Sequence, residues 1–388
     1  MNQFKDQIER IMTGKTCIPA VIVPLITALI FGYIFSNNQI LESSVAVLDL
    51  DNSNYSRQLI GKLDASPYIE VNRVLNVPLE PEQLLINEQY LAVITLPQNL
   101  EANMYSGKQS NIGFILDYTV FAGSANLKQA IAEIFASENI TISISKLKNM
   151  GYSGEQALGL LNALSLQQRS LFNPTMDYVS SNVFGFVNLV ILALLTIQTL
   201  QIIPTLRSEG KLLTAMESPL GLISRVLPYA FLYLISSIFV LGLLKQFAGL
   251  RFAGSVLEFL IPLFIYTFAS AMLGMLLGWS AKEPAKAGQR VIIVVLPSFL
   301  FSNIILPVAL MPKLIQYLTM AFPLNWFTKF FRGIALRGAP ISYMWKDLGG
   351  FLILLTAIFI LLTLAMTKEA RQVKSLIEEE RLACESQQ

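Results

Sequence analysis

The chain has 388 residues, of which 54% are hydrophobic and only 14% are charged, whereas soluble domains carry about 25% charged residues. It has no histidine and two cysteines, Cys17 and Cys384, which excludes His-based catalytic triads, His-containing zinc or haem sites and cysteine metal clusters. The net charge of +2 is unevenly spread: residues 37–177 carry 8 Lys or Arg against 14 Asp or Glu, and the rest carries 20 against 12. The composition therefore predicts one acidic soluble domain set into a basic membrane protein.

Six segments are apolar over a length sufficient to cross a bilayer, which takes about 20 residues. The first, residues 17–36, is interpreted as a retained helix rather than a signal peptide. Its apolar run is about twice the length of a signal-peptide core, and no small-x-small cleavage site follows. The other five are residues 179–203, 226–244, 256–280, 291–311 and 348–366. The predicted fold class is an α-helical membrane protein with six transmembrane helices and an α/β extracytoplasmic domain inserted between the first two.

An even number of spans places both termini on one side of the membrane, and the distribution of Lys and Arg indicates which side. With the termini inside, the inner segments hold 13 of these residues and the short outer loops hold 7. We therefore expect both termini in the cytoplasm. The predicted domains are residues 1–36 (N-terminus and first helix), 37–177 (extracytoplasmic domain with a helical return), 178–367 (second to sixth helices) and 368–388 (cytoplasmic tail).

The acidic segment alternates strand-like and helix-like patterns. Asp49 and Asp51, at the end of the first strand, are either ligands for a hard cation or caps of the following turn, and we favour capping. The segment shows no catalytic constellation, so we interpret it as a docking or substrate-handling module. Strands are predicted at residues 44–49, 68–74, 90–96 and 111–117, and helices at 52–64, 81–89, 125–149 and 153–170, with a short helix ending at 106.

The sequence contains no nucleotide-binding motif. Gly14-Lys15-Thr16 resembles the end of a P-loop, but the motif requires a glycine five residues before Gly14, where the chain has Glu9. If ATP drives this protein, another chain must supply the ATPase. No cofactor or metal is therefore predicted in this chain, and ATP and Mg²⁺ would be bound by the partner.

The segment after the second span, residues 207–219, reads RSEGKLLTAMESP and lies between two prolines. Leu212, Leu213 and Met216 are at helical spacing, which predicts a short amphipathic helix lying at the inner membrane surface. The alternative interpretation is a solvated loop.

This segment resembles the corresponding loop of the ABC-2 type permeases, the membrane subunits of ABC exporters, which typically reads Arg-x-x-Gly-Thr-x-Glu-x-Leu-x-x-Ser-Pro. Lys211 and Leu213 depart from that pattern, where the family has Thr and Glu. The matching positions are Arg207, Gly210, Ser218 and Pro219. The resemblance implies that residues 204–225 form the region that couples to the ATPase, through Arg207, Glu209, Gly210, Lys211, Leu212, Met216 and Pro219.

Four further motifs are similar to one branch of this family, which has a large extracytoplasmic domain between its first two helices. Each motif is weak alone, but together with the loop, in the expected order, they identify the chain as a member of the family. The motifs are VLDLDNS at 47–53 followed by Ser56-Arg57, Asn173-Pro174, PLNWF at 323–327 and RGIALRG at 332–338.

Polar residues recur at helical spacing in the second span and cluster in the fifth. Because unpaired polar groups are costly in lipid, they must face other helices or a path. The resemblance implies that the second and fifth helices of two subunits line the translocation route, so we predict that these residues line it; helix–helix packing is the alternative. The residues are Ser181, Asn188, Thr196, Thr199, Ser298, Ser302 and Asn303. In the fourth span, Ser270, Gly274 and Gly278 predict close packing within the chain.

The resemblance also implies an outer re-entrant element between the fifth and sixth helices, at residues 312–345. Aromatic and basic residues in this segment are typical of the membrane interface. We expect them to anchor the segment there; the alternative is attraction of an anionic or lipid-like substrate. The residues are Trp326, Phe327, Phe330, Arg332 and Arg337.

We therefore predict the permease subunit of an ATP-driven ABC exporter in a bacterial inner membrane, forming half of a translocation pathway. The predicted partners are ABC ATPase subunits, a second permease (an identical copy or a sister subunit) and membrane lipids, and no nucleic acid. A periplasmic adaptor protein as a further partner rests on the resemblance alone. One alternative is a non-transport membrane receptor or envelope assembly factor, which would need no ATPase. A secondary transporter is disfavoured, because the spans show neither inverted repeats nor charged residues at their centres.

Overall fold

The structure is a computed structural model in which residues 2–13, 16–35, 42–86, 90–117, 121–161, 171–173, 177–216, 218–281 and 283–385 are described. The chain divides into two compact units. Residues 1–38 and 170–388 form one, which we call the helical unit, and residues 39–169 form the other, which we call the inserted unit. The helical unit begins with helices α1 (Asn2–Thr13) and α2 (Cys17–Ile34).

The inserted unit alternates strands and helices, as predicted. All four predicted strands are present, with ends within two residues of those expected. Parts of two predicted helices, residues 87–89 and 162–170, lie outside the described residues. The elements are β1 (Ser43–Asp49), α3 (Asn54–Asp64), β2 (Ile69–Leu75), α4 (Pro81–Leu85), β3 (Ala92–Leu96), α5 (Leu100–Ser106), β4 (Gly113–Leu116), α6 (Phe121–Asn149) and α7 (Gly154–Leu161).

The four strands form one mixed sheet in the order β2-β1-β3-β4. β1 is parallel to both of its neighbours, and β4 is antiparallel to β3. Alternate residues of β1 belong to two different apolar clusters, since Val47 packs with Leu59 of α3 while Leu48 packs with Leu84 of α4. Burial on both faces explains why the first strand reads as a nearly continuous apolar run.

The two aspartates after β1 cap backbone turns. The Asp49 carboxylate accepts hydrogen bonds from the backbone N–H groups of the next turn and from the Ser56 hydroxyl at 2.7 Å. Asp51 accepts from the N–H groups of Leu100 and Glu101, both at 3.0 Å, in the first turn of α5. Although desolvation raises the pKa of Asp51, a hydrogen bond with the Ser53 side chain and these backbone hydrogen bonds hold it below its ordinary value. The contacts are those that the capping interpretation predicts.

The helical unit resumes after the inserted unit with a run of long and short helices. They are α8 (Phe184–Leu200), α9 (Ile202–Ser208), α10 (Leu212–Ala215), α11 (Pro219–Phe247), α12 (Val256–Trp279), α13 (Pro284–Ala287), α14 (Ile292–Phe301), α15 (Lys313–Thr319), α16 (Pro323–Phe330) and α17 (Trp345–Glu385). π-helical segments cover Val179–Val183 and Phe331–Leu336, and 3₁₀ turns cover Gly288–Val291, Val308–Leu310 and Ile341–Met344.

Five helical stretches in the described part of the chain are long and apolar enough to cross a membrane. They are Cys17–Ile34, Val179–Ser208, Pro219–Phe247, Val256–Trp279 and Ile341–Arg371. They coincide with the first four predicted spans and the sixth.

The fifth predicted span, residues 291–311, is not one helix, so the expected count of six spanning helices is not confirmed. The apolar helix there covers only Gly288–Phe301. Asn303 follows in a left-handed conformation with φ 62°, and Pro307 lacks the N–H that a continuing helix needs. The sequence shows the interruptions by Pro297 and Pro307, but apolarity does not report the left-handed conformation of Asn303.

Helices α8 and α12 approach closely because α12 carries glycine at the contact. A Cβ atom on Gly274 would lie 2.2 Å from Thr199 Oγ1, and one on Gly278 would lie 2.2 Å from the carbonyl oxygen of Leu200. Ser270, one turn earlier, is fully buried. The small-residue stripe of the fourth span therefore packs within the chain, as predicted.

Candidate functional site

The loop at residues 204–225 connects α8 and α9 to α11 and carries the motif found in the sequence. Gly210 has φ 69°, a conformation that glycine adopts without steric cost, and it reverses the chain between α9 and α10. Pro219 lies in the first turn of α11, where its missing N–H leaves no helix hydrogen bond unmade. The backbone conformation therefore favours glycine at position 210 and proline at position 219.

Arg207 joins three elements of the helical unit. Its guanidinium donates hydrogen bonds to the carbonyl oxygens of Trp279, at 3.2 Å, and Ala281, at the C-terminal end of α12. It also binds the carboxylate of Glu369 in α17, with Nη2 at 2.8 Å from Oε1. A cation at a helix C-terminus satisfies carbonyl groups that lack intrahelical partners. Arg207 therefore ties the loop to the ends of α12 and α17.

Glu209 ties the same loop to α1. Arg10 Nη2 lies 2.6 Å from Glu209 Oε2 and 2.8 Å from Oε1, and Lys211 Nζ lies 3.3 Å from Oε2. The hydrogen bond from Arg10, supported by Lys211, holds the pKa of Glu209 below its ordinary value. Helix α1 is itself held by the Tyr229 hydroxyl of α11, which donates to Gln7 Oε1 at 3.2 Å.

The short helix α10 has one buried face. Leu212 and Met216 are 7% and 6% exposed, but Leu213 is 47% exposed. The expectation that all three leucine and methionine side chains share one apolar face was wrong for Leu213, because residues four apart share a helix face and adjacent residues do not. The helix is also only four residues long.

Between Ser208 and Thr214, the outward side of the loop is polar and carries one exposed leucine. Arg207 and Leu212 hold its backbone from the inside, so the outer side chains project from a fixed base. The exposed residues are Ser208, Glu209, Gly210, Lys211, Leu213 and Thr214. This arrangement suits the docking of another protein surface.

Asn188, in the middle of α8, contacts two neighbouring helices. Its Nδ2 donates to the Phe184 carbonyl oxygen at 2.9 Å, and its Oδ1 accepts from Ser237 of α11 at 2.9 Å. The Tyr266 hydroxyl of α12 donates to its backbone oxygen at 2.5 Å. All these contacts lie within one chain, as the helix-packing alternative predicts; a role of Asn188 in a translocation path stays a prediction.

The other polar residues predicted in the second span also lie inside the chain. Thr196 and Thr199 are fully buried, and Thr199 donates to the Leu195 carbonyl oxygen at 2.9 Å. Ser181 lies in the first π-helical segment, where its hydroxyl binds Asn173 and the backbone of Asp177, each at 2.8 Å.

The polar residues predicted in the fifth span shape the end of α14. Ser298 and Ser302 are fully buried. Asn303 Oδ1 accepts a hydrogen bond from the Val308 N–H at 3.0 Å, which supports the turn that ends the helix. Thr328 of α16 donates to the Ser302 carbonyl oxygen. These residues therefore lie where α14 meets the segment that follows it.

The aromatic residues of the predicted outer segment are buried instead of exposed. Phe327 and Phe330 are 0% and Trp326 is 8% exposed. The ring of Phe327 lies 5.7 Å from that of Phe184 and 4.7 Å from that of Tyr266. The expected interfacial exposure of these three rings was wrong, because α16 packs its aromatic face onto α8, α12 and α17. By contrast, Arg337 is exposed and Arg332 is partly exposed.

Two charged contacts of the loop were missed by sequence reasoning. Arg10 and Glu369 lie 199 and 162 residues from their partners, and no local pattern reports such pairs. The helix that carries Arg10 did have a signal, since Phe4, Ile8 and Ile11 recur at helical spacing.

Comparison with known proteins gives two kinds of match. The family described as ABC-2 family transporter protein matches residues 15–365. Among curated proteins, the chain is similar to the inner membrane transport permease YhhJ of Escherichia coli (strain K12) and to the protein of the same name in Shigella flexneri. Each is 21% identical over 354 residues, which cover 83% of this chain and 87% of the relative.

Proposed function

This chain belongs to the ABC-2 family of transporter proteins, and on that premise we propose that it is the permease subunit of an ATP-driven exporter. In this proposal it is a multi-pass protein of a bacterial inner membrane with both termini in the cytoplasm. It forms half of a translocation pathway with a second permease. An ABC ATPase subunit, which binds ATP and Mg²⁺, docks on loop 204–225.

The observation that supports coupling through this loop is its attachment to the rest of the helical unit. Arg207 binds the end of α12 and Glu369 of α17, and Glu209 binds Arg10 of α1. A partner that displaces the exposed side of the loop would therefore displace three further helices. A mobile surface loop would transmit no such movement.

The proposed pathway lies between two permeases, along α8 and α14. Ser298 and Ser302 are the proposed lining residues on α14, together with Asn303 at its end. The proposed lining residues on the other side are Asn188, Thr196 and Thr199 of α8 and Ser181 just before it; Asn188 also contacts α11 and α12 within the chain. Replacing Asn188 or Asn303 by Leu, at normal expression, is expected to reduce transport, and unchanged transport would contradict the pathway.

Docking on the loop is tested with two exposed side chains, Leu213 and Lys211, the second of which contacts Glu209 of the same loop. We expect a Lys211→Glu, Leu213→Asp double variant to reduce at least fivefold the ABC ATPase subunit that co-purifies with the full chain in mild detergent. Lys346→Glu, another charge reversal on an exposed lysine, serves as the matched control and should have no effect. ATP hydrolysis by the eluate identifies the partner.

Two results would contradict the proposal. An ATPase recovered equally with the double variant would place the docking surface elsewhere. A wild-type preparation without any ATPase would favour the membrane receptor or envelope assembly factor.

A further inference from the structure

The segment between α14 and α17 is strongly basic, and part of its charge has no counter-ion. Residues 312–346 contain no Asp or Glu, and their basic residues are Lys313, Lys329, Arg332, Arg337 and Lys346. Lys329 pairs with Asp347 at 2.5 Å. In the part of the chain that the structure describes, Arg332 and Arg337 have no carboxylate partner.

The backbone places these two arginines together. Arg332 lies in the π-helical segment that follows α16 and Arg337 directly follows it, with the Arg337 N–H donating to the Arg332 carbonyl oxygen at 3.1 Å. In an α-helix, side chains five residues apart point about 140° away from each other. The wider π turn brings positions i and i+5 to the same side, and such turns are frequent at functional sites. Burial of the Arg332 guanidinium, and after it the charge of Arg337, lowers the pKa of Arg332.

The π turn is held rigidly by its neighbours. A Cβ atom on Gly254 would lie 2.2 Å from the carbonyl oxygen of Ile334, and one on Gly333 would lie 2.3 Å from the Met344 sulfur. Ile334 is fully buried. Because neither contact leaves space, the fold fixes the backbone of the turn that carries the two arginines.

Two like charges on the same side of one turn repel one another, and an anion between them offsets that repulsion. Two guanidinium groups offer parallel N–H donors, which match the oxygens of a phosphate group. We propose that Arg332 and Arg337 form a binding site for a phosphate-type oxyanion. The site does not depend on the ATPase or on the direction of transport.

The surroundings of the pair favour the phosphate of a phospholipid headgroup. Gly254, which contacts the π turn, precedes the start of α12, whereas Arg207 contacts the end of the same helix, about 36 Å away. The arginine pair therefore lies at the end of the apolar helices opposite loop 204–225. Tyr343 and Trp345, which are 84% and 65% exposed, lie in the same segment, and such rings are typical of headgroup level. Soluble phosphate has the same binding chemistry and is the second source to test.

The test uses the full chain purified in a zwitterionic detergent. Native mass spectrometry measures the binding of phosphatidylglycerol and of phosphatidylcholine, and a thermal shift titration measures the binding of inorganic phosphate. The variants are Arg332→Gln and Arg337→Gln, and Lys313→Gln is the control because it removes an exposed charge of the same basic segment outside the pair. If Arg332→Gln does not fold, Arg337→Gln on its exposed side chain gives the same readout.

We expect the wild type to prefer phosphatidylglycerol and either glutamine variant to bind it about tenfold more weakly, the loss for a hydrogen bond to a charged group. The control should bind like the wild type. Phosphate binding that is lost in the same two variants would support the site with a soluble ligand. The proposal would be overturned if the wild type and the arginine variants bound phosphatidylglycerol equally and inorganic phosphate equally. It would also be overturned if Lys313→Gln lost as much binding as the arginine variants.

Discussion

The charged residues at the two ends of the helical unit differ in whether they have an oppositely charged partner. At loop 204–225, Arg207 and Glu209 each find an opposite charge within the chain. At the other end, Arg332 and Arg337 find none among the described residues, although their backbone is equally well fixed. Paired charges of this kind fasten elements to one another, whereas a fixed pair of unpartnered charges is suited to recognition. We therefore expect a mechanical role for loop 204–225 and a binding role for the end that carries Arg332 and Arg337.

The largest expected effect tests how rigid the arginine end is. Gly254→Ala would place a methyl group 2.2 Å from a backbone carbonyl oxygen, so the loop before α12 or the π turn must shift. We expect the free energy of unfolding to fall by about 3 kcal/mol, measured by thermal unfolding in detergent. Gly242→Ala is the control, since a Cβ atom there meets no described atom within 4 Å. Equal stability of the two variants would show that the π turn is not held.

The next effect tests the fastening at the loop. Arg207→Ala removes the partner of a mostly buried Glu369 and of two helix-end carbonyl groups, and we expect a loss of about 2 kcal/mol. Glu369→Gln alone should cost less. A double-mutant cycle of the two changes measures their coupling free energy, which we expect to exceed 1 kcal/mol. A coupling energy near zero would mean that the pair does not fasten α17.

A smaller, pH-dependent effect is expected from Glu209. Its pKa in the folded chain lies below the ordinary value of 4.5, so its ion pair with Arg10 stabilises the fold above that value. The stabilisation is lost as the pH falls through the lowered pKa. Because the pair is largely exposed, we expect only about 0.5 kcal/mol, reduced by salt.

The measurement compares thermal unfolding from neutral to acidic pH in the wild type and Arg10→Gln. The stability difference between the two proteins should shrink at low pH. A difference that stays constant over this range would contradict the contact between α1 and the loop.

The smallest expected effect on stability is that of Arg337→Gln, which tests whether the charges at the two ends differ in role. Arg337→Gln removes a charge that has no acidic partner in the described chain, so its stability should change by less than about 0.5 kcal/mol. The same variant should lose anion binding. If its unfolding instead resembled that of Arg207→Ala, Arg337 would be a fastening residue and the distinction between the two ends would fail.

Local signals made the inserted unit predictable. Ser53 caps α3 through its hydroxyl and a reciprocal bond with Ser56, prolines end or begin elements, and β1 is apolar because both of its faces are covered. The five long apolar helices of the described chain and the glycine contacts of α12 were likewise predictable, since length and small-residue spacing are properties of the sequence itself.

Two features of the helical unit could not be predicted from the sequence. The end of α14 depends on Asn303 adopting a left-handed conformation and binding the Val308 N–H, which no apolarity pattern reports. The burial of Phe327 and Phe330 depends on α16 lying against α12 and α17. For α14, a local turn ends the helix; for α16, tertiary packing decides that its aromatic face is buried.

Helix α17 carries a fastened carboxylate near each end of its apolar stretch. Asp347 pairs with Lys329, and Glu369 pairs with Arg207. The two acidic residues are 22 positions apart, which in a continuous helix is about 33 Å, close to the thickness of a bilayer's hydrocarbon core. The helix thus keeps loop 204–225 and the arginine end of the helical unit at a fixed distance from each other. Lipids with shorter or longer acyl chains would strain these two ion pairs, because a helix of fixed length cannot adjust to a change in bilayer thickness.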